Sequence, residues 1–498
     1  MIDRFLNKLT TYQLILYYLA ALLALGIFFS GVGWVPVNPL SVLETVAGLV
    51  LVCLGTNLAF SKLLKVTTNQ ESTLITALIL ALVLGPVSVE AEPLRFGYLM
   101  LGGVFAVASK YLLVWRRHHI FNPVALGIVL TGFAFNEYAS WWVGQWVLLP
   151  AVVIGGLLLA RKTNRLRFVA LFGVFFVGFL LVWDVLQGLP WGKVSESLTF
   201  TLFQSEVPFF VFAMVTEPLT SPKRWALQVV FLAVAAVLSL PQFSIGPVNF
   251  SPELALVVAN LVGFLLGPQR RYTLVLKSKR TIALDTIAFA YHRPRGLKYE
   301  PGQYLELTLP LTKSDRRGNR RYLSFASSPT EEEILIVARF PKEPSAFKQL
   351  WKTHVPGDTV LASEISGDFV LPRQNDKKVA LISGGIGVTP FRSMIQAIID
   401  TEAPRDLVLV DAHSKPEHRV FADVFDHASQ VPGVRVVHAD TERTGRLDAS
   451  FLSANLPDLK NRTFYLSGSP GFVDAVKKAL RSLKVSRFRI RSDFFPGY

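Results

Sequence analysis

"LISGGIGVTPFRSMI" occupies residues 381–395. It opens as an apolar run, is interrupted by Gly384, Gly385 and Gly387, and resumes at Thr389-Pro390 with helical spacing of its apolar residues. The apolar half, "KVALISGG", reads as a buried strand. "TPFRSMIQAIIDT" reads as a helix that starts at a proline, whose fixed φ suits the first turn. The glycines between them permit a tight turn and a close backbone approach to a ligand. A bare strand-to-helix turn is the structural alternative, so the neighbouring sequence has to decide. Downstream, "DLVLVDAH" (strand), "VFADVFDHAS" (helix), "VRVVHAD" (strand), "FYLSGSP" (strand), "GFVDAVKKALRSL" (helix) and "RFRIRSD" (strand) follow. Strand and helix in alternation predict a doubly wound α/β domain of the nucleotide-binding kind over residues 375–498.

Upstream, residues 269–374 have a different texture. "YTLVLKSKR", "TIALDTIAFAYH", "QYLELTLPL", "RYLSFASS" and "EILIVARF" are short runs with much period-two alternation, punctuated by Gly, Pro and charge. This pattern predicts a six-stranded antiparallel β-barrel.

Residues 1–268 belong to another solvent class. Hydrophobic residues make up 51% of the chain and charged residues 17%, with a mean hydropathy of +0.40, and the apolar excess lies before Gly267. Ten apolar segments recur, near residues 14–31, 41–60, 73–89, 96–115, 123–135, 142–160, 168–186, 199–216, 225–240 and 252–267. Most approach the roughly 20 residues that cross a bilayer. Alternate loops are basic: Lys62 and Lys65; Arg116 and Arg117; Arg161, Lys162, Arg165 and Arg167; Lys223 and Arg224; Arg270 and Arg271. The loops between them are poor in Lys and Arg. The positive-inside rule then predicts a polytopic α-helical domain of about ten spans in the cell membrane, with both ends cytoplasmic. No cleavable signal peptide is expected, because Arg4 and Lys8 precede the first apolar run without a cleavage-site pattern.

Composition also excludes. The net charge of +15 sits at helix ends rather than in a nucleic-acid-binding stripe. Cys53 is the sole cysteine; it forms no internal disulfide, and no cysteine cluster is present for zinc or iron–sulfur. His118 and His119 lie in a basic loop and the other six histidines follow residue 290. No apolar segment carries a pair of axial haem ligands, and no metal site is expected. Lys110 and Glu217 are the ionisable residues nearest membrane depth, where charge often serves ions or protons. The plainer alternative is a snorkelling Lys110 and a helix-capping Glu217.

Two resemblances extend these readings. "STLITALILALVLGP" (residues 72–86), "SKYLLVWRRHHIFNPVALG" (109–127) and "FAMVTEPLTSP" (212–222) resemble, in order, the membrane subunit family shared by the sodium-pumping NADH:quinone reductase and the Rnf complex. Asn122-Pro123 and Glu217-Pro218 within them also break helices, which membranes tolerate where a cavity is lined. That family carries FMN esterified to threonine in an SGAT-type sequence. None occurs here and the corresponding loop is shortened to "FNEYASWW", so covalent FMN is not expected, and "SESLT" (195–199) is no substitute. A second, non-covalent flavin or a quinone between the helices stays compatible with the resemblance.

The C-terminal half resembles the ferredoxin–NADP reductase family along nearly its whole length. The motifs are "PGQY" (301–304), "RYLSFASS" (321–328), "PSAFKQL" (344–350), "LISGGIGVTPFRSMI", "YLSGSPGFV" (465–473) and "DFFPGY" (493–498). The resemblance implies FAD and NADH or NADPH as cofactors. It implies that Arg321 pairs with the flavin pyrophosphate, a task suited to its fork of donors, and that Ser345 opens a helix at the same phosphate. Ser324 falls near the flavin N5 and Ser467, with Gly468, near the nicotinamide; these two serines are the candidate catalytic residues. Gly384, Gly385, Gly387, Thr389 and Pro390 form the nicotinamide-side loop. Three departures stand out. Leu323 takes the place of the flavin-stacking tyrosine, leaving Tyr322, Phe495 or Tyr498 to cover the ring. Ser467 replaces a cysteine. "DAHSKPEH" lacks the usual 2′-phosphate readers, with Lys415 a substitute favouring NADPH and Asp411 favouring NADH.

The expectation is a membrane-bound flavoprotein oxidoreductase. It carries electrons from NAD(P)H through FAD to an acceptor in or at the membrane, with lipid and NAD(P)H as partners and no nucleic acid. The alternatives are a membrane-anchored reductase serving soluble ferredoxin or flavodoxin, and a redox-driven ion-translocating protein. The junction "GPQRR" (267–271) is short enough to keep the reductase half near the bilayer.

Overall fold

The computed structural model describes residues 6, 9–64, 66, 70–115, 118–241, 243–267, 270–311, 315, 318–456 and 458–493. The chain forms two compact units, Met1–Arg270 and Arg271–Tyr498.

The first unit is helical: α1 (Thr11–Gly31), α2 (Pro39–Leu64), α3 (Gln70–Val83), α4 (Pro93–Leu112), α5 (Pro123–Phe135), α6 (Leu149–Lys162), α7 (Leu166–Leu186), α8 (Trp191–Phe203), α9 (Trp225–Leu238) and α10 (Pro252–Leu266). Between α8 and α9, Val207–Phe209 leads into a π-helical turn, Phe210–Val215. Local sequence explains the ends. Thr10 and Gln13 form a reciprocal capping box at α1. Asn122 caps α5 through Ala125 N, with Pro123 following.

Among the described residues three helices, α1, α2 and α7, are long and apolar enough to cross a membrane, and a fourth candidate arises if α8 and Val207–Val215, bent by 51°, count as one span. This corrects the expectation of ten. Helices α3, α5, α9 and α10 are apolar but shorter, at 10–17 residues. At about 1.5 Å per residue, a 14-residue helix such as α3 reaches only about 21 Å. The cause is turn chemistry inside the apolar runs. The segment read as 73–89 stops being helical at Val83, just before Gly85-Pro86, and the segment 199–216 breaks after Phe203, before Pro208.

The second unit begins with β1 (Tyr272–Ala283), where the period of the sequence changes. It continues through β2 (Thr286–His292), β3 (Tyr304–Thr308), β4 (Arg320–Ser324), β5 (Glu333–Arg339), α11 (Ala346–Thr353) and β6 (Thr359–Ser366). These six strands form one antiparallel sheet in the order β4-β3-β6-β1-β2-β5. A bridge between Phe325 and Ile336 brings the end of β4 to β5, so the two edges meet. Phe289 stacks on Trp351 of α11 at 4.2 Å in the core, and Trp351 Nε1 donates to Tyr291 Oη at 2.8 Å.

A parallel sheet follows: β7 (Val379–Gly384), α12 (Thr389–Thr401), β8 (Leu407–His413), α13 (Ala422–Ala428), β9 (Val434–Asp440), α14 (Ala449–Asn455), β10 (Thr463–Ser467), α15 (Pro470–Ser482) and β11 (Ile490–Ser492). The strand order is β9-β8-β7-β10-β11, all parallel. Val379, Ala380, Leu381 and Ile382 are all fully buried, as expected for a strand covered on both faces. Val379 and Leu381 pack into the core with α12 residues, and Ala380 and Ile382 into the core with α15 residues.

Candidate functional site

Chain order runs from β7 to β8 and β9 on one side, then returns to β10 on the other. The direction of winding therefore reverses between β7 and β10. In open α/β sheets this switch point, at the carboxyl ends of the strands, leaves a crevice where ligands bind. The loop after β7 is Gly385 to Val388, and the loop after β10 is Gly468-Ser469; Ser383 and Ser467 are register partners on the two strands.

The glycines are sterically required there. A Cβ on Gly387 would lie 2.5 Å from the Ser467 carbonyl oxygen and 2.6 Å from Gly468 Cα. A Cβ on Gly384 would lie 2.8 Å from the Phe472 ring. Gly385 has φ +58°, in the left-handed region. Thr389 and Pro390 start α12, and Thr389 Oγ1 donates back to the Ile386 carbonyl at 3.2 Å. Ser469 caps α15, accepting from Phe472 N. Two helices of 13 residues thus start at the crevice, and their free N–H groups and dipoles favour a phosphate.

On the antiparallel sheet, Arg321, Tyr322, Leu323 and Ser324 lie along β4 opposite Leu307, Glu306, Leu305 and Tyr304 of β3. Arg321 is buried. Its Nη1 donates to the carbonyls of Arg320 (2.5 Å) and Gly318 (3.2 Å), and its guanidinium lies 5.0 Å from the Phe347 ring. Phe347 is the second residue of α11, whose cap is Ser345, accepting from Lys348 N at 3.3 Å. Arg321 and the start of α11 are therefore brought together, although 23 residues of sequence, including all of β5, lie between Arg321 and Ser345. That helix end already receives an anionic oxygen: Ala346 N donates to Asp315 Oδ2 at 2.9 Å. The arrangement fits a pyrophosphate.

Leu323 packs against the core of the antiparallel sheet. Tyr322, on the other face of the strand, is 39% exposed and meets Tyr304 edge-on at 5.5 Å and 82°. Tyr304 was not among the expected site residues; its place at the end of "PGQY" was the available signal. Ser324 is buried opposite Tyr304. Phe495 and Tyr498 lie outside the described residues.

Two further expectations concern cofactor choice. Asp411, at the carboxyl end of β8, is buried and accepts from Ser383 Oγ at 3.0 Å, so it braces the sheet rather than presenting a carboxylate to solvent. Lys415 is exposed, with Nζ 4.0 Å from Glu442 Oε1.

Sequence reading missed the residues that join the two sheets. Arg392 Nη1 of α12 donates to the Ala326 carbonyl at 3.2 Å and pairs with Glu331, and Ser393 Oγ donates to the Ser327 carbonyl at 2.6 Å. Gly302 (φ +95°) belongs to the same seam, since a Cβ there would lie 2.1 Å from the Phe369 carbonyl oxygen. Across this seam the segment following β4 is held to the helix that begins at the glycine loop.

In the first unit, the buried Asn122, Thr220 and Asn260 form one network with the half-buried Glu217. Asn122 Nδ2 and Thr220 Oγ1 donate to Glu217 Oε2 (2.8 and 3.1 Å), Asn122 N donates to Asn260 Oδ1 (2.8 Å), and Asn260 Nδ2 donates to the Thr220 carbonyl (3.2 Å). His119 Nε2 lies 3.8 Å from Glu217 Oε1. Lys110 Nζ donates to the Ser72 carbonyl, Ser72 Oγ and Thr76 Oγ1, joining α4 to α3. Cys53 is fully buried. Among the described residues no group of three His, Cys, Asp or Glu side chains is placed to hold a metal ion.

Residues 381–478 match the family described as the oxidoreductase NAD-binding domain. The chain is 27% identical to a flavohemoprotein of Bacillus cereus over 250 residues, covering 45% of this chain and 60% of that protein. It is 30% identical to a flavohemoprotein of a Burkholderia species over 225 residues, covering 42% and 56%. A crystal structure of the flavohem-like FAD/NAD-binding domain of nitric oxide dioxygenase from Vibrio cholerae aligns with a TM-score of 0.39 and 21% identity, covering 44% of this chain and 97% of that one. The chain spans 52–60% of the length of the curated relatives it matches first. The matched residues 381–478 lie within the second unit.

Proposed function

We propose that this chain is a membrane-bound, NAD(P)H-dependent, FAD-containing oxidoreductase of the ferredoxin–NADP reductase type, which passes electrons to an acceptor in or at the membrane. The observation that carries the reading is the pairing of two arrangements in one unit, each suited to a phosphate: the glycine loop wedged against Ser467-Gly468, and Arg321 beside the start of α11. When bound, FAD supplies hydride acceptance and the release of single electrons. The chain's own residues bind and orient. Arg321 and the Ser345-capped helix hold the flavin pyrophosphate, and Tyr322 with Tyr304 offers the aromatic surface that Leu323 does not. Ser324 and Ser467 place hydroxyls at the flavin and nicotinamide sides. NADH and NADPH are both admitted, Lys415 being the residue available to a 2′-phosphate.

Helices α1, α2 and α7 support the membrane reading of the first unit. The resemblance of that unit to the quinone-reductase and Rnf membrane subunits belongs to the same proposal. A second reading, in which the first unit handles an ion, a non-covalent flavin or a quinone rather than merely anchoring the reductase, is favoured by the network that ties Asn122 to Glu217 and Asn260. A plain anchor, serving ferredoxin or flavodoxin, has no need of such a network.

Cofactor extraction from purified full-length protein tests the proposal. One FAD per chain, reduced anaerobically by NADH or NADPH, is expected, and Arg321→Ala should lower FAD occupancy at least tenfold while Arg321→Lys retains part of it. Full occupancy in Arg321→Ala would refute the assignment of the pyrophosphate site. A second flavin or a quinone in the extract supports the carrier reading of the first unit; FAD alone supports the anchor.

A further inference from the structure

Away from the crevice, the second unit carries a cationic patch with an aromatic tip. From Lys477 to Arg491 there are seven Lys and Arg residues and no Asp or Glu in fifteen positions. Helix α15 starts at the carboxyl ends of the strands and returns to their amino ends. Arg481 and Lys484 emerge there, followed by the turn Arg487–Arg489 that leads into β11. Phe488, in that turn, is 80% exposed, the highest value among the exposed large hydrophobic residues described. The Arg487 guanidinium covers one face of its ring at 4.8 Å. Arg489 donates to the Lys460 carbonyl, bringing a further exposed lysine to the patch. Lys477 and Arg491 are engaged elsewhere, with Ser492 Oγ and over the Tyr465 ring.

The helix dipole accounts for Arg481 and Lys484 near the end of α15. It does not account for Arg487, Phe488 and Arg489 beyond that end. A lone exposed phenylalanine requires no explanation, but one held among guanidiniums at the end of an acid-free run combines the two features of an interfacial anchor: an apolar ring for the headgroup boundary and cations for anionic lipid. Position separates lipid from a redox protein. The patch lies at the amino ends of the strands, whereas the glycine loop and Ser467-Gly468 lie at the carboxyl ends. Five- and six-residue strands such as β10 and β7 put roughly 15–20 Å between the two ends. A partner seated on the patch is therefore remote from the glycine loop and Ser467-Gly468, a distance that an anchoring contact tolerates.

We propose that Lys460, Arg481, Lys484, Arg487 and Arg489 engage the phosphates of an anionic lipid surface, with Phe488 entering the headgroup layer. The proposal goes beyond the catalytic reading and needs neither a particular acceptor nor a particular nicotinamide cofactor.

The test uses full-length protein with Cys53→Ser and Phe488→Cys, labelled at position 488 with an environment-sensitive fluorophore. The protein is reconstituted in lipid discs of phosphatidylcholine alone or with phosphatidylglycerol, each containing a spin-labelled quencher lipid. At least twofold more quenching is expected in the anionic discs, falling as salt is raised to about 0.5 M. Adding Arg487→Glu and Arg489→Glu, or separately Arg481→Glu and Lys484→Glu, should reduce quenching to the neutral-disc level, with NAD(P)H–ferricyanide turnover within twofold of the parent. Equal quenching in both discs, or none in either, overturns the proposal. So does charge-dependent binding of an acidic flavodoxin without lipid quenching, which assigns the patch to a protein. Failure of the catalytic reading would show instead as absent flavin or absent turnover, whatever the label reports.

Discussion

Ser393 Oγ donates a 2.6 Å hydrogen bond to the backbone carbonyl of Ser327, across 66 residues of sequence. Ser393 lies one turn into the helix that starts at the glycine loop, and Ser327 follows the strand that carries Arg321 and Ser324. With Arg392 on the Ala326 carbonyl, it sets the spacing between the proposed nicotinamide and flavin sites. Alignment of reacting groups is sensitive to displacements of about 1 Å, which can cost about 100-fold in rate. The double variant Arg392→Ala/Ser393→Ala should therefore reduce bound flavin at least tenfold more slowly at saturating NAD(P)H in stopped flow, with flavin content within twofold of wild type. An unchanged rate would show that the seam does not align the sites.

Gly387 tests the crevice itself. An added methyl group there meets backbone atoms at 2.5 and 2.6 Å, which cannot swing aside as a side chain can. Overpacking of this kind costs about 1–3 kcal/mol, or roughly a fivefold to 140-fold loss at about 1.4 kcal/mol per decade. Gly387→Ala should raise the KM for NAD(P)H by about that factor and leave FAD occupancy unchanged, as measured by steady-state kinetics and flavin absorbance. Loss of flavin together with KM would point to general unfolding instead.

Arg462 staples the amino ends of the parallel strands. Its guanidinium is buried, pairs with Asp406 and Asp458 at 2.6 Å each, and donates to the Val379 carbonyl. Burial pushes both carboxyls up, but hydrogen bonds from Arg462 and Lys378 outweigh it and hold them below the usual range. A carboxylate with a depressed folded pKa stabilises the fold above its unfolded value of about 3.9, and that contribution is lost as pH falls through the folded pKa. Arg462→Ala should destabilise the second unit by about 2 kcal/mol at pH 7. The difference from wild type in thermal midpoint should shrink as pH falls below about 4. A pH-independent difference would assign the effect to packing alone.

Asn260 probes the first unit. Its fully buried amide accepts from Asn122 N and donates to the Thr220 carbonyl, so Asn260→Ala strands a donor and an acceptor, at about 1–3 kcal/mol each. Lower thermal stability of the detergent-purified protein is expected, with NAD(P)H–ferricyanide turnover, which the proposed function assigns to the second unit, unchanged. Equal losses in both would indicate coupling between the units.

Legibility in the sequence followed the range of the interaction. The glycine loop, the helix start at Ser345, and the alternation after Lys378 are local, set by φ preferences and side-chain period within a few residues, and they were readable. Span number was not, because hydropathy registers apolar length while helix length depends on where Gly85-Pro86 and Pro208 interrupt the backbone. The roles of Tyr304, Arg392, Ser393 and Asp411 were unreadable for another reason: each depends on a neighbour 18 or more residues away in sequence.

By itself, then, the sequence determined the apolar helical character of the first unit, the strand and helix content of the second, and the turn chemistry of the glycine loop, since all of these arise from local backbone preference and burial periodicity. Only the tertiary structure decided which apolar helices have the length of a span, that Leu323 faces the core while Tyr322 meets Tyr304, and that Asp411 is consumed by Ser383. The physical reason is that these outcomes depend on which distant groups desolvate one another, and that follows from the folded arrangement rather than from any stretch of chain.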